Sequence, residues 1–198
     1  MKYGKFLKGT LITLVVFAVL VTSDNAGATS GGICCPVTES GIVIGYGTGN
    51  VEEGKYEPVL MIWHIGFSLK ELPSGQHEDR KDMISFYIEP QINPVTRPET
   101  DVEFGVGAGL KYMHHITNSL SAYLMASVGP HWVTINTESQ ARGFVFSSTI
   151  GLGISVFVTD KSAVTLGYRV RHLSNANFRK PNGGIDTCFG TIGYSVFF

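Results

Sequence analysis

The chain has 198 residues, a net charge of −1 and only 16% charged residues. That excludes the basic footprint that nucleic-acid binding needs, and the length suits one domain rather than two. With 24 glycines and 11% aromatic residues, the composition fits a sheet whose outer face does not meet water.

The N-terminus has the three parts of an export signal. Lys2, Lys5 and Lys8 form a positive start, Leu11 to Val21 is an apolar run broken only by Thr13, and Ala26-Gly27-Ala28 offers a small-x-small cleavage site. The apolar run is shorter than the ~20 residues of a membrane-spanning helix. The expected division is therefore a signal peptide over 1–28 and a barrel domain over 29–198. Export permits disulfides, but Cys34, Cys35 and Cys188 have neither metal-ligand spacing nor an evident pairing, so they are read as structural or incidental. No cofactor and no metal site is expected.

Beyond that segment no helical period persists, and alternation with period two takes its place. Segments 41–49 and 56–67 are predicted strands of irregular alternation. Residues 83–91 place Ile84, Phe86 and Ile88 opposite Ser85, Tyr87, Glu89 and Gln91. Residues 101–114 place Val102, Phe104, Val106, Ala108, Leu110 and Tyr112 opposite Glu103, three glycines and Lys111. Residues 120–128, 144–158, 163–173 and 185–198 repeat the pattern, making eight strands. A polar face so rich in Gly and Ser and so poor in Lys and Glu is a poor solvent face. In a membrane barrel the faces invert, with apolar residues toward lipid and small polar ones in the lumen. Closure also leaves no unpaired edge in hydrocarbon. The fold class expected is all-β, an eight-stranded antiparallel transmembrane β-barrel. Its terminal Phe198 resembles the assembly signal of outer-membrane barrels. Glu89, Glu103, Lys111, Arg169 and Arg171 should point inward and form an ion-pair network that plugs the lumen.

Counting from a periplasmic N-terminus puts the 174–184 connection outside, as the fourth external one. The 69–82 connection falls on the periplasmic side and is long for it. Trp63 and Trp132 fit the interfacial aromatic girdles. His114-His115, at a strand end, has no further ligands that would make it a metal site.

One departure from the pattern carries chemistry. Along 163–174 the outward row runs Val164, Leu166, Tyr168, Val170 and then His172 and Ser174, near the external end. The next strand starts its outward row with Asp186. Pairing around the 174–184 loop would bring Asp186 beside His172, giving a nucleophile, a base and a carboxylate that orients the base. Polar groups directed at lipid are costly and are functional candidates for that reason.

The run Arg171-His172-Leu173-Ser174-Asn175-Ala176, followed by Pro181-Asn182-Gly183-Gly184-Ile185-Asp186, resembles the active-site region of the PagL family, the lipid A 3-O-deacylases. Its marks are a His-x-Ser-Asn-Ala core, a Pro-Asn-x-Gly turn and an acidic residue 14 positions after the His. The resemblance covers roughly the last 35 residues of the chain. It implies that Ser174 attacks the ester joining a 3-hydroxyacyl chain to the glucosamine 3-position of lipid A. His172 would act as base, Asp186 would orient it, and Asn175 would donate to the oxyanion. Two positions depart from the family pattern: Asp186 stands in place of Glu and Asn177 in place of Gly. If the backbone N–H of Asn177 also serves the oxyanion, a positive φ is implied, which Asn tolerates. The partner implied is lipid A or lipopolysaccharide in the outer leaflet of a Gram-negative outer membrane; a homodimer stays open. Arg179 and Lys180 are candidates for lipid A phosphates, or solvated loop charges. Two alternatives compete: a non-enzymatic small barrel for adhesion or envelope integrity, and a lipid-modifying barrel of another specificity, such as a phospholipase or acyltransferase.

Overall fold

Alternation of apolar and small residues gives nine strands in a computed structural model that describes residues 36–72 and 82–198. They are β1 (Val37–Val51), β2 (Gly54–Tyr56), β3 (Val59–Leu72), β4 (Asp82–Val95), β5 (Asp101–His115), β6 (Leu120–Val133), β7 (Gly143–Thr159), β8 (Ser162–Ser174) and β9 (Ile185–Phe197). The expected export signal, Cys34, Cys35 and most of the 69–82 connection lie outside the described residues.

Each long strand pairs antiparallel with the next, and β9 closes on β1 from Glu39↔Phe197 to Gly49↔Thr187. The result is a closed barrel of eight long strands, with β2 a short return along the end of β1. The strands outrun the predicted segments. Along β6 the predicted segment ends at 128, before Gly129-Pro130, yet the ladder continues to Val133, with His131 buried and Trp132 exposed. Pro130 points away from the lumen, in an outward row that Trp132 continues between Phe104 and Phe144.

The outer wall is apolar: Leu124, Val128, Ile150, Leu152, Leu166 and Ile192 are among its exposed side chains. The lumen is filled by charge. Near the end bearing the chain's C-terminus, Lys111 Nζ donates to both oxygens of Glu39, at 2.8 and 2.7 Å. His64 bridges toward Glu89, with Nδ1 at 2.9 Å from it, while Arg169 makes two hydrogen bonds to the same carboxylate. Nearer the other end, Glu103 accepts from Tyr56 Oη at 2.6 Å, from Arg171 Nη2 at 2.8 Å and lies 2.9 Å from His131 Nε2. All five residues predicted to face inward are thus buried and paired. The barrel has room for this because β1 presents glycines to the lumen. A Cβ on Gly47 would stand 2.3 Å from the Phe189 ring, and that ring in turn supports the Arg171 guanidinium at 4.9 Å.

The connections sort by end. Segments 52–58, 96–100, 134–142 and 175–184 share one rim, here called the outer rim, and are tied to one another. Gly183 N donates to Ser139 O at 2.6 Å, Ala141 N to Pro181 O at 3.0 Å, and Thr96 N to Glu57 O at 2.9 Å. Tight turns at 116–119 and 160–161 mark the opposite rim. There His114 Nδ1 lies 2.8 Å from Asp82 Oδ2 and His115 Nδ1 lies 2.6 Å from Ser121 Oγ. The pair His114-His115 thus joins β4, β5 and β6, and no metal-binding cluster occurs among the described residues.

Candidate active site at the outer rim

His172 lies two residues before the end of β8, on the face turned away from the lumen. The β8–β9 register pairs it directly with Asp186. Directly opposed residues in an antiparallel pair hold their side chains close, and His172 Nδ1 lies 2.7 Å from Asp186 Oδ1. Nδ1–H then donates to the carboxylate, which leaves Nε2 to accept a proton. The shorter acid of this chain is therefore long enough. Both side chains are exposed on the barrel wall, at 49% and 80%, so a substrate can reach them from the membrane.

Ser174 closes β8 and is half-buried. Its Oγ donates to Asn182 Oδ1 at 3.1 Å rather than to His172. The acid–base half of the expected constellation is formed, and the nucleophile–base half is not. Asn182 also accepts from the Asn175 backbone N–H at 2.9 Å and donates from Nδ2 to Asn177 Oδ1 at 3.3 Å. The backbone donor fixes which end of the Asn182 amide is the oxygen. One side chain thus clamps the serine to the turn that follows it. Catalytic hydrogen bonds are often unmade without substrate and form only in the complex.

Asn175 sits differently from what the resemblance implied. Its side chain is buried, and Nδ2 donates to Arg179 O at 2.9 Å and Pro181 O at 3.4 Å. It braces the 175–184 loop from within. The donor beside the serine is instead a backbone amide, Ala176 N–H, 3.3 Å from Ser174 Oγ. Ala176 and Asn177 adopt φ of 52° and 65°. Asn177 therefore takes the left-handed conformation that a second oxyanion amide would require.

Two contributors could not be assigned from sequence, where they appear only as turn residues. One is Asn182. The other is Gly184, at φ +78°, where a Cβ would lie 2.6 Å from His172 Cε1 and 3.1 Å from Leu173 O. The bare backbone of Gly184 forms the seat of the imidazole. Arg179 reaches across the rim, with Nη1 donating to Arg142 O at 3.4 Å. Cys188 is free and exposed on the wall.

Residues 61–195 match the family model of the lipid A 3-O-deacylase PagL. This chain belongs to the PagL family. It is accordingly an outer-membrane protein of a lipid A deacylase family. Comparison with curated protein sequences returns no match. Among solved structures it resembles Neisserial surface protein A, with a TM-score of 0.60 at 14% identity over 81% of this chain and 96% of that one. It also resembles the outer membrane enzyme PagL, with a TM-score of 0.54 at 15% identity over 79% of this chain and 99% of that one. At those identities the structural likeness establishes the barrel, and the family rests on the sequence model.

Proposed function

We propose that the protein is a serine esterase that hydrolyses the ester-linked 3-hydroxyacyl chain at the glucosamine 3-position of lipid A. The observation that carries this reading is the His172–Asp186 pair at 2.7 Å on the lipid-facing wall, one turn of the pleat below a serine. A non-enzymatic barrel has no use for an ionisable pair directed at lipid.

Ser174 Oγ turns from Asn182 toward His172 Nε2 and attacks the ester carbonyl carbon while the imidazole takes its proton. Asp186 keeps Nδ1 protonated and stabilises the imidazolium. The negative oxygen of the tetrahedral intermediate meets the Ala176 and Asn177 amides of the turn, and Asn175 acts by bracing that turn from inside the loop. The bond to the sugar oxygen breaks as His172 returns the proton to it. Water then cleaves the acyl-serine by the same route and releases the free 3-hydroxy acid. A site at the outer rim reaches an ester at the headgroup boundary without drawing lipid A out of the membrane.

Mass spectrometry of lipid A from cells expressing the protein tests this directly. Loss of one 3-hydroxyacyl mass, absent in a Ser174→Ala control, is expected. Unchanged lipid A both in cells and in detergent with the purified folded protein would refute the activity.

Gly184→Ala is expected to lower kcat about 10²-fold, since a methyl group there displaces the imidazole by about 1 Å and the left-handed backbone resists any side chain. Turnover of lipid A by the purified variant, with folding followed by heat-modifiable gel migration, gives the answer. A wild-type rate would mean that the imidazole needs no fixed seat.

A further inference from the structure

The turn that follows Ser174 is held in a conformation its residues do not favour. Residues 175–178 close on themselves through the Phe178 N–H, which donates to Asn175 O at 3.0 Å. Both central residues, Ala176 and Asn177, have positive φ, at 52° and 65°, as in a type I′ turn. Asn tolerates this region, whereas the Cβ of Ala176 crowds its own backbone there and no polar group compensates. Such a turn persists only where its surroundings hold it. Inside the loop Asn175 Nδ2 holds it to Arg179 O and Pro181 O.

On its outer side the turn ends in Phe178, the one large apolar residue of the segment 175–184. At 71% it is the most exposed large apolar side chain among the described residues. Its ring centroid lies 6.3 Å from that of Phe146, and Phe146 packs edge-on against Phe144 at 5.0 Å. Register continues this band along the wall, pairing Phe144 with Trp132 and Trp132 with Phe104. Phe146 is also the direct partner of Ser174. Phe178 thus adds a ring, from a loop, to an outward aromatic band that begins beside the serine. Aromatic side chains gather at the membrane–water boundary of outer-membrane barrels. Most of the Phe178 ring is left uncovered by protein, on a band whose neighbouring solvent is lipid.

We propose that Phe178 is a lipid-inserted positioning residue: its ring enters the outer leaflet over Phe146, and that insertion holds the Ala176–Asn177 turn beside Ser174. The partner of this surface is the leaflet itself, at the boundary between headgroups and acyl chains. The catalytic value of the turn rests on the deacylase reading; the insertion and its grip on the turn do not. Removing the ring from water favours the anchored loop. Because Phe178 follows Asn177 directly and closes the turn with its own N–H, an anchored ring leaves the two central residues little room to relax. Without the anchor, Ala176 relaxes toward negative φ and its amide swings away from Ser174 Oγ, now 3.3 Å distant.

The test reads conformation and depth first, so it does not depend on turnover. Protein with ¹³C-labelled alanine and phenylalanine is placed in nanodiscs of dimyristoylphosphatidylcholine and followed by NMR. A spin-labelled lipid carrying its nitroxide high on the acyl chain should broaden the Phe178 ring signals, and a water-soluble gadolinium chelate should not. The Ala176 Cα and Cβ shifts should report a left-handed backbone in the wild type, move toward averaged values in Phe178→Ser, and return in Phe178→Leu, which keeps an apolar side chain. On lipid A, Phe178→Ser should lower kcat about tenfold with little change in KM, since a displaced turn loses contacts made in the transition state, and Phe178→Leu should recover most of the rate. Unchanged Ala176 shifts in Phe178→Ser overturn the proposal, as does a Phe178 ring broadened by the chelate and not by the lipid. Failure of the deacylase reading would appear separately, as unchanged lipid A mass with wild-type protein.

Discussion

Ser174→Ala is expected to reduce kcat on lipid A by roughly 10⁶-fold, and Asp186→Asn by roughly 10⁴-fold, without loss of the folded barrel. The serine supplies the bond-forming oxygen, so its removal leaves only the rate that binding and the oxyanion amides provide. The Asp186 effect has another origin. Its carboxylate, 2.7 Å from His172 Nδ1, holds the proton on that nitrogen and leaves Nε2 to face the serine. The asparagine amide can donate to Nδ1 instead, which fixes the opposite tautomer and leaves no base. Asp186→Glu keeps the carboxylate and should retain most of the activity, since the resemblance puts Glu at this position. Single-turnover kinetics with purified lipid A in detergent separates the three. If Asp186→Asn were as active as wild type, the pair would be an interfacial contact with no part in the reaction.

The second large effect is on stability. Glu103→Leu should destabilise the barrel by about 3–5 kcal/mol. Glu103 is fully buried and is the shared acceptor of Tyr56, Arg171 and His131. Without it the Arg171 guanidinium, 2% exposed, is a lumen charge with no counter-ion. Exchanging both members for apolar residues, Glu103→Leu with Arg171→Met, should cost much less, because no charge is stranded. Urea unfolding in lipid vesicles, followed by tryptophan fluorescence, measures both. Equal midpoints for wild type and Glu103→Leu would show that water enters the lumen and solvates the arginine. The two predictions are coupled through β8, where Arg171 and His172 are adjacent and point to opposite faces.

The barrel was legible in the sequence because the side-chain period of a strand is local. Glu103 and Lys111 are separated by an even number of residues, so both had to face one side, and a polar side full of glycine could only be a lumen. His172 and Ser174 followed from the same parity, as outward residues in an apolar row. The irregular segments 41–49 and 56–67 were the least well bounded: they became β1, the short β2 and β3, with a return at Gly54–Tyr56 that alternation does not encode.

What alternation leaves open is which residues meet across strands. Register and loop conformation are set by the closure of the whole barrel, and only they put Asp186 opposite His172. The same holds inside the loop. The motif names Asn175 and Asn182 alike, but the turn at Ala176 and Asn177 sends one side chain inward to Arg179 O and Pro181 O and the other to Ser174. The sequence by itself determined the fold class, the face each residue occupies and the chemistry available at the rim. Only the tertiary structure decided which partner each group holds, because a period of two specifies a side, whereas a hydrogen bond depends on two distant segments arriving at one place.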